Sequence, residues 1–193
     1  MEPQLRDRAH VGYVNLNTIV NDEGIWPIEF SCRFGYPGFA ILAPLQRTPW
    51  AELFAMMLDP NSTHFEAAPG FCLGVVLTTP PFPYTRKQVD EPVGMPVLIA
   101  GGCDPRHFHF GEIGLGPGGE LATSGLYGWT MVVTGEGDTV EAAKHDAYAH
   151  VGRVTIPNMR YRLDIGDRLI SHQLARIEQL GMLDPNTTQI QGI

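Results

Sequence analysis

Residues 26–45, WPIEFSCRFGYPGFAILAPL, constrain this chain more than any other stretch. The first half alternates. Ile28, Phe30 and Cys32 point to one side of an extended backbone while Glu29, Ser31 and Arg33 point to the other, because successive strand side chains face opposite ways. The alternation predicts a strand with one face able to bury in a core and the other carrying a carboxylate, a hydroxyl and a guanidinium in a row. Gly35, Pro37 and Gly38 then break the strand, and an apolar run, 39–45, follows. The polar row suits a metal ion and a phosphate, since a hard cation such as Mg²⁺ takes oxygen ligands and bridges nucleotide phosphates. The alternative is an ion-paired strand without a site.

The neighbouring sequence supplies partners for that strand. Residues 11–20 read as a preceding strand, and Asn21-Asp22-Glu23-Gly24 as a hairpin turn into a second strand over 25–34. Residues 49–58 place Trp50, Leu53, Phe54, Met57 and Leu58 at helical spacing, with Thr48 as N-cap, Pro49 in the first turn and the Met56-Met57 pair filling core. A polar stretch over 59–70, with Pro60, Asn61, Pro69 and Gly70, reads as a linker, which divides the chain into domains 1–62 and 63–193. In the second, 73–77 is a buried strand, 80–84 a stiff proline-rich segment, and 96–100 and 106–110 are short strands. Residues 129–134 form a further strand, turning through 135–138 into a helix capped by Asp138 or Thr139. On that helix Val140, Ala143, Ala147, Val151 and Val154 share one stripe. A last helix over 167–180 and a loose tail complete the chain.

Bulk properties narrow the partners. A formal net charge of -8 disfavours nucleic acid and anionic membrane surfaces, which an acidic body repels. No apolar run approaches the roughly 18 residues that span a bilayer, and the first ten residues lack the apolar core of a signal peptide. Three cysteines without Cys-x-x-Cys spacing fit reduced thiols and a cytoplasmic location.

The run Glu29-Phe30-Ser31-Cys32-Arg33-Phe34-Gly35-Tyr36-Pro37-Gly38 resembles the end of the ATP-grasp domain of phosphoribosylamine–glycine ligases, whose pattern is Glu-Phe/Tyr-Asn-x-Arg-Phe-Gly-Asp-Pro-Glu. Ser31 stands at the family's Asn, Tyr36 at its Asp and Gly38 at its second Glu. Further on, 133–143 with Ala147-Tyr148 follows the family's Val-Thr-Ala-x-Gly-x-Thr-x-x-Glu-Ala-x-x-x-Ala-Tyr. Residues 161–168, YRLDIGDR, repeat its Tyr/Phe-Arg-x-Asp-Ile-Gly-x-Arg. The resemblance covers about residues 11–170.

The resemblance implies an α+β protein: closing antiparallel strands of an ATP-grasp domain, then a small β-rich C-terminal domain with packed helices. It implies a metal role for Glu29 and Ser31, a nucleotide role for Glu29 and Arg33, and Arg33 as the catalytic residue that helps hold an acyl-phosphate or substrate phosphate. The cofactor implied is Mg with ATP. The family's ATP-binding lysines, glycine-rich loop and adenine pocket precede the matched segment and have no counterpart here, so the chain is expected to need an N-terminal ATP-grasp half supplied from elsewhere. The rival expectation is a non-catalytic binding or assembly module derived from that ligase, with the old site strand as an interface and a homodimer as one outcome. Changes at Tyr36 and Gly38 also fit a ligase acting on another amine or acid.

Three other constellations compete for attention. His107 and His109, with Cys103 and Asp104 close upstream, have the residue types of a zinc site, although the resembling family has Phe-His-Ala-Gly here without a metal role. Gly114-Leu115-Gly116-Pro117-Gly118-Gly119 formally contains GxGxxG, but a strand follows it instead of a helix, so a wide hairpin turn is the better reading. Arg162, Asp164 and Arg168 around Gly166 read either as a structural ion pair and helix cap or as groups orienting a phosphoribosylamine.

Overall fold

The computed structural model describes residues 2–59, 61–62, 65–83 and 93–182. They fall into two units, one built from 1–39 and 46–68, the other from 40–45 and 69–193.

The first unit is a hairpin with short helices. After helix α1, Glu2–Asp7, strand β1, Asn15–Asn21, pairs antiparallel with β2, Gly24–Ser31. The turn between them is as read: Asn21 Oδ1 accepts hydrogen bonds from the Glu23 and Gly24 amides at 3.0 and 3.2 Å. Gly24 sits at φ +145°, a conformation that side-chain-bearing residues rarely adopt. The pairing sets Asn15 opposite Ser31, Leu16 opposite Phe30 and Asn17 opposite Glu29, before a bulge between Asn17 and Thr18 shifts the register.

The expected burial of the Ile28–Phe30–Cys32 face is not found: Ile28 is 60% and Phe30 42% exposed, and Cys32 is exposed too. The strand expected over 25–34 ends at Ser31, so Cys32 and Arg33 fall outside the alternation; burial of the rest requires a facing layer, which this two-stranded ribbon lacks among the described residues. Helix α2, Gly38–Leu42, and a single 3-10 turn, Ala43–Leu45, account for the apolar run.

Helix α3, Trp50–Leu58, begins at Pro49, not Thr48. Thr48 Oγ1 instead accepts the Glu66 amide at 2.8 Å and serves a chain crossing. Of the five apolar residues assigned to the helix face only Leu53 is buried. Trp50 and Phe54 pack edge-on against Phe34, with ring centroids 5.6 and 6.1 Å away. Ring-on-ring contact in a half-open cluster replaces the expected core.

The second unit holds the core. Strand β3, Phe71–Thr78, pairs antiparallel with β8, Trp129–Gly137, which also pairs with β5, Phe108–Phe110, giving the order β3-β8-β5. Helix α4, Val140–Val151, lies on one face of this sheet: Leu73, Val75, Leu77, Met131 and Val133 pack against Ala143, Ala147 and Val151. On the other face Ile41 lies so close to Gly74 that an added Cβ would stand 2.4 Å from its Cγ1.

Of the two proposed caps of α4, Thr139 is the one used, its Oγ1 accepting the Ala142 amide at 3.1 Å. Val154 leaves the helical stripe for β9, Val154–Thr155, which pairs with β4, Leu98–Ile99. Strands β6, Ile113–Leu115, and β7, Leu121–Thr123, form the hairpin read from the glycine-rich run. The Glu112 carboxylate beside it accepts the amides of Tyr127, Gly128 and Trp129, anchoring the turn that launches β8. After a π-turn, Leu169–Gln173, α5 runs over Leu174–Gln179. Tyr84 of the proline-rich segment and the tail from 183 onward lie outside the described residues.

Candidate functional site

The β1–β2 register assembles the polar row. Asn15 Nδ2 donates to Asn17 Oδ1 at 2.9 Å, and Asn17 Nδ2 donates to Glu29 Oε1 at 2.8 Å. Ser31 lies directly opposite Asn15. The hairpin therefore brings two carboxamides, a carboxylate and a hydroxyl to one side of the ribbon. The asparagines escaped the sequence reading, which treated 11–20 as a generic partner strand. Their signal was the alternation Asn15, Asn17 two residues apart, and it acquires meaning only once the register with Glu29 is known.

Arg33 stands apart from this row. It lies past the end of β2, and its guanidinium donates to the Phe34 carbonyl through Nη1 at 3.1 Å. Among the described residues it makes no ion pair with Glu29, so the ion-paired strand is not what the structure contains. A donor set of carboxylate, hydroxyl and carboxamide oxygens fits a hard divalent cation, which prefers oxygen ligands. Glu29 and Ser31 are the residues of the predicted set that would hold it. A cation there would supply charge neutralisation for a nucleotide phosphate.

The other sequence candidates separate. Asp104 is occupied as a cap: its Oδ1 accepts the Arg106 amide at 2.9 Å, and its Oδ2 pairs with Arg106 Nε at 2.8 Å. This pairing holds the Asp104 carboxyl below its usual range. His107 and His109 both reach Thr134 Oγ1, each at 3.3 Å. Burial lowers the pKa of both imidazoles, with His150 adding to the effect at His107.

Cys72, across from Glu136 on the paired strand, has its thiol pushed up to about 12 by burial, then by the charges of Glu136 and Asp146. It is accordingly a neutral thiol at physiological pH, and neither a nucleophile nor a ready ligand. Arg162 and Asp164 form a two-point ion pair, Nε to Oδ1 at 2.9 Å and Nη2 to Oδ2 at 2.6 Å. Tyr148 on α4 donates its hydroxyl to the Arg162 carbonyl at 2.6 Å, and Lys144 pairs with Asp167. The second motif thereby fastens residues 162–167 to α4.

No protein-family model matches the chain. The phosphoribosylamine–glycine ligase of Neisseria meningitidis serogroup B is 30% identical over 163 residues, covering 83% of this chain and 37% of that enzyme. The ligase of Listeria innocua is 28% identical over 163 residues, covering 84% and 37%. Among solved structures, the phosphoribosylamine–glycine ligase of Thermotoga maritima superposes with a TM-score of 0.64 at 21% identity, over 78% of this chain and 36% of that one. The biotin carboxylase domain of Hydrogenobacter thermophilus 2-oxoglutarate carboxylase, solved with MgADP and bicarbonate, gives 0.52 at 8% identity, over 89% and 38%. The expected fold class stands: mixed helix and antiparallel sheet, with ATP-grasp neighbours. Over most of its length this chain is similar to the phosphoribosylamine–glycine ligases, as its motifs indicated, and it spans 37% of the length of the curated relatives above.

Proposed function

We propose that this chain contributes to an ATP-dependent ligase forming a carbon–nitrogen bond, of the kind that joins glycine to phosphoribosylamine in purine biosynthesis, in the cytoplasm. In this reading residues 1–62 are the closing part of an ATP-grasp domain and 63–193 a C-terminal-like domain. Glu29 and Ser31 would hold a Mg²⁺ ion, which would supply charge neutralisation for ATP, and Arg33 would help hold a substrate phosphate. The ATP-enclosing half comes from residues outside these 193, on a partner polypeptide or in the same chain. The observation that carries the reading is the hydrogen-bonded row Asn15–Asn17–Glu29 facing Ser31, on a chain similar to those ligases. A bound cation there would offset the negative charge that gathers as a phosphoryl group moves, the chief difficulty of such chemistry.

The test mixes the chain with the unmatched N-terminal segment of a related ligase and follows ATP hydrolysis that depends on Mg²⁺, glycine and phosphoribosylamine. Activity above that of either part alone is expected. Glu29→Gln should lower it about 100-fold, and Ser31→Asn, which restores the family's amide oxygen, should raise apparent Mg²⁺ affinity. Absence of activity with every such partner, or a Glu29→Gln variant as active as its parent, would refute the proposal.

A second reading is favoured by the exposed apolar side chains Ile19, Trp26, Ile28 and Phe30 of the ribbon. Surface of this kind fits an assembly module whose former site strand is now an interface. Sedimentation of the isolated chain discriminates: a dimer that Trp26→Glu dissociates supports assembly, whereas a monomer at all concentrations opposes the homodimer.

A further inference from the structure

A different set of donors converges wholly within the second unit. One ring nitrogen each of His107 and His150 and a carboxylate oxygen of Asp146 lie within 4.8 Å of one another. Asp146 and His150 are four residues apart on α4, so the helix repeat puts them on one face, one turn apart; the 3.8 Å approach of His150 Nδ1 to Asp146 Oδ2 brings the two side chains together through the atoms that also bond to the backbone. His107 arrives from the 3-10 turn Pro105–His107, which delivers the chain into β5. Its ring stacks on that of His150 with centroids 4.3 Å apart.

The surroundings orient these groups as the outer partners of a metal site do. His150 Nδ1 donates to the Thr134 carbonyl at 2.9 Å, which leaves Nε2 carrying the lone pair. Asp146 Oδ2 accepts the Glu136 amide at 3.0 Å, which steadies the carboxylate and leaves its other oxygen available. His107 Nδ1 meets Thr134 Oγ1, and its side chain is buried. Tetrahedral zinc holds nitrogen and oxygen donors about 3.3 Å apart; the two rings are stacked at 24°, which sets their in-plane lone pairs side by side, so binding requires one imidazole to turn out of the stack.

We propose that His107, Asp146 and His150 form a binding site for a divalent transition metal of the zinc class. Two imidazoles and one carboxylate are the ligands such ions select, while Mg²⁺ and Ca²⁺ prefer all-oxygen sets. Three protein ligands leave a fourth position for water, which enters past the half-exposed Asp146 and His150. The metal ties the turn before β5 to α4, so it acts as a clamp on the core sheet. The zinc set read from sequence joined His107 to His109, Cys103 and Asp104; the structure keeps His107 and exchanges the others for side chains about forty residues downstream.

The test titrates the chelator-stripped chain with Co²⁺, whose visible bands report coordination, and then competes with Zn²⁺. One equivalent should bind, and thermal unfolding of the zinc-loaded chain should shift upward, because a ligand that binds only the folded state stabilises it. Asp146→Asn and His150→Gln should each weaken binding about 10- to 100-fold, while His109→Gln should not. X-ray absorption of the zinc form should show a nitrogen–oxygen shell with imidazole scattering, a readout independent of whether the variants fold. Failure to bind a stoichiometric ion overturns the proposal and leaves a stacked, hydrogen-bonded histidine pair with a structural role. Sulfur in the shell, or Asp146→Asn and His150→Gln variants that bind as tightly as the unmodified chain, overturns it as well.

Discussion

Gly135 shows how much of this protein is decided by single side chains, or by the lack of one. On β8 it faces the helix above, and a Cβ built there would lie 2.0 Å from the Ala147 amide nitrogen and 2.7 Å from the Ala143 carbonyl oxygen. Both atoms belong to the α4 backbone and cannot swing aside as a flexible side chain would. Gly135→Ala should therefore lift the helix from the sheet and destabilise the protein by about 3 kcal/mol or more, read as a lower midpoint in denaturant unfolding. Ala143 and Ala147 complete the same close approach, since their small side chains let α4 settle on the strands. Within the motif that runs from Val133 to Tyr148, Gly135, Ala143 and Ala147 are thus explained by packing. At Glu29 the reverse holds. Its partners are polar, its surroundings open, and its hydrogen bond to Asn17 adds little stability at an exposed position.

At the scale of elements the contrast lies between two antiparallel pairs. Strands β3 and β8 are enclosed: Val75, Leu77, Met131 and Val133 are fully buried, and β8 has strands on both sides. Strands β1 and β2 also pair antiparallel but form a two-stranded ribbon, the kind of sheet that is marginal by itself. Leu77→Ala should cost about 2–5 kcal/mol through lost burial and the cavity left behind. Leu16→Ala on the ribbon should change stability by only about 0.5 kcal/mol. Chemical denaturation of the two variants checks the difference, and a Leu16→Ala variant as unstable as Leu77→Ala would show that the ribbon is covered in solution.

For the molecule as a whole, pH provides a test of the buried His107 and the half-buried His109. His107 and His109 have their pKa values lowered from 6.5, by burial first; at His107 the charges of His150 and Arg106 lower it further while Asp146 and Glu136 oppose them. A folded pKa below the unfolded one means that the unfolded chain binds more protons in the window beneath the ordinary histidine value. Stability is then fully present above that value and declines as pH falls through it. In chelator, the denaturation midpoint should drop between about pH 7.5 and about pH 5.5, and His107→Gln with His109→Gln should flatten the slope. An unchanged slope in the double variant would assign the effect to other groups.

The sequence by itself determined what is local or periodic: the hairpin at Asn21–Gly24, the buried strand through Val75, the stripe of α4 from Val140 to Val151, and the motifs that carry the likeness to the ligases. Those features depend on neighbours within a few residues, so propensity and alternation suffice to read them. Only the tertiary structure decided which apolar face is covered, that Thr48 bonds to Glu66 instead of capping α3, that Asn15 and Asn17 join Glu29, and that His107 finds Asp146 and His150. Each of these depends on strand register or on a helix docking across the sheet, contacts between residues far apart in the chain whose geometry no local pattern encodes.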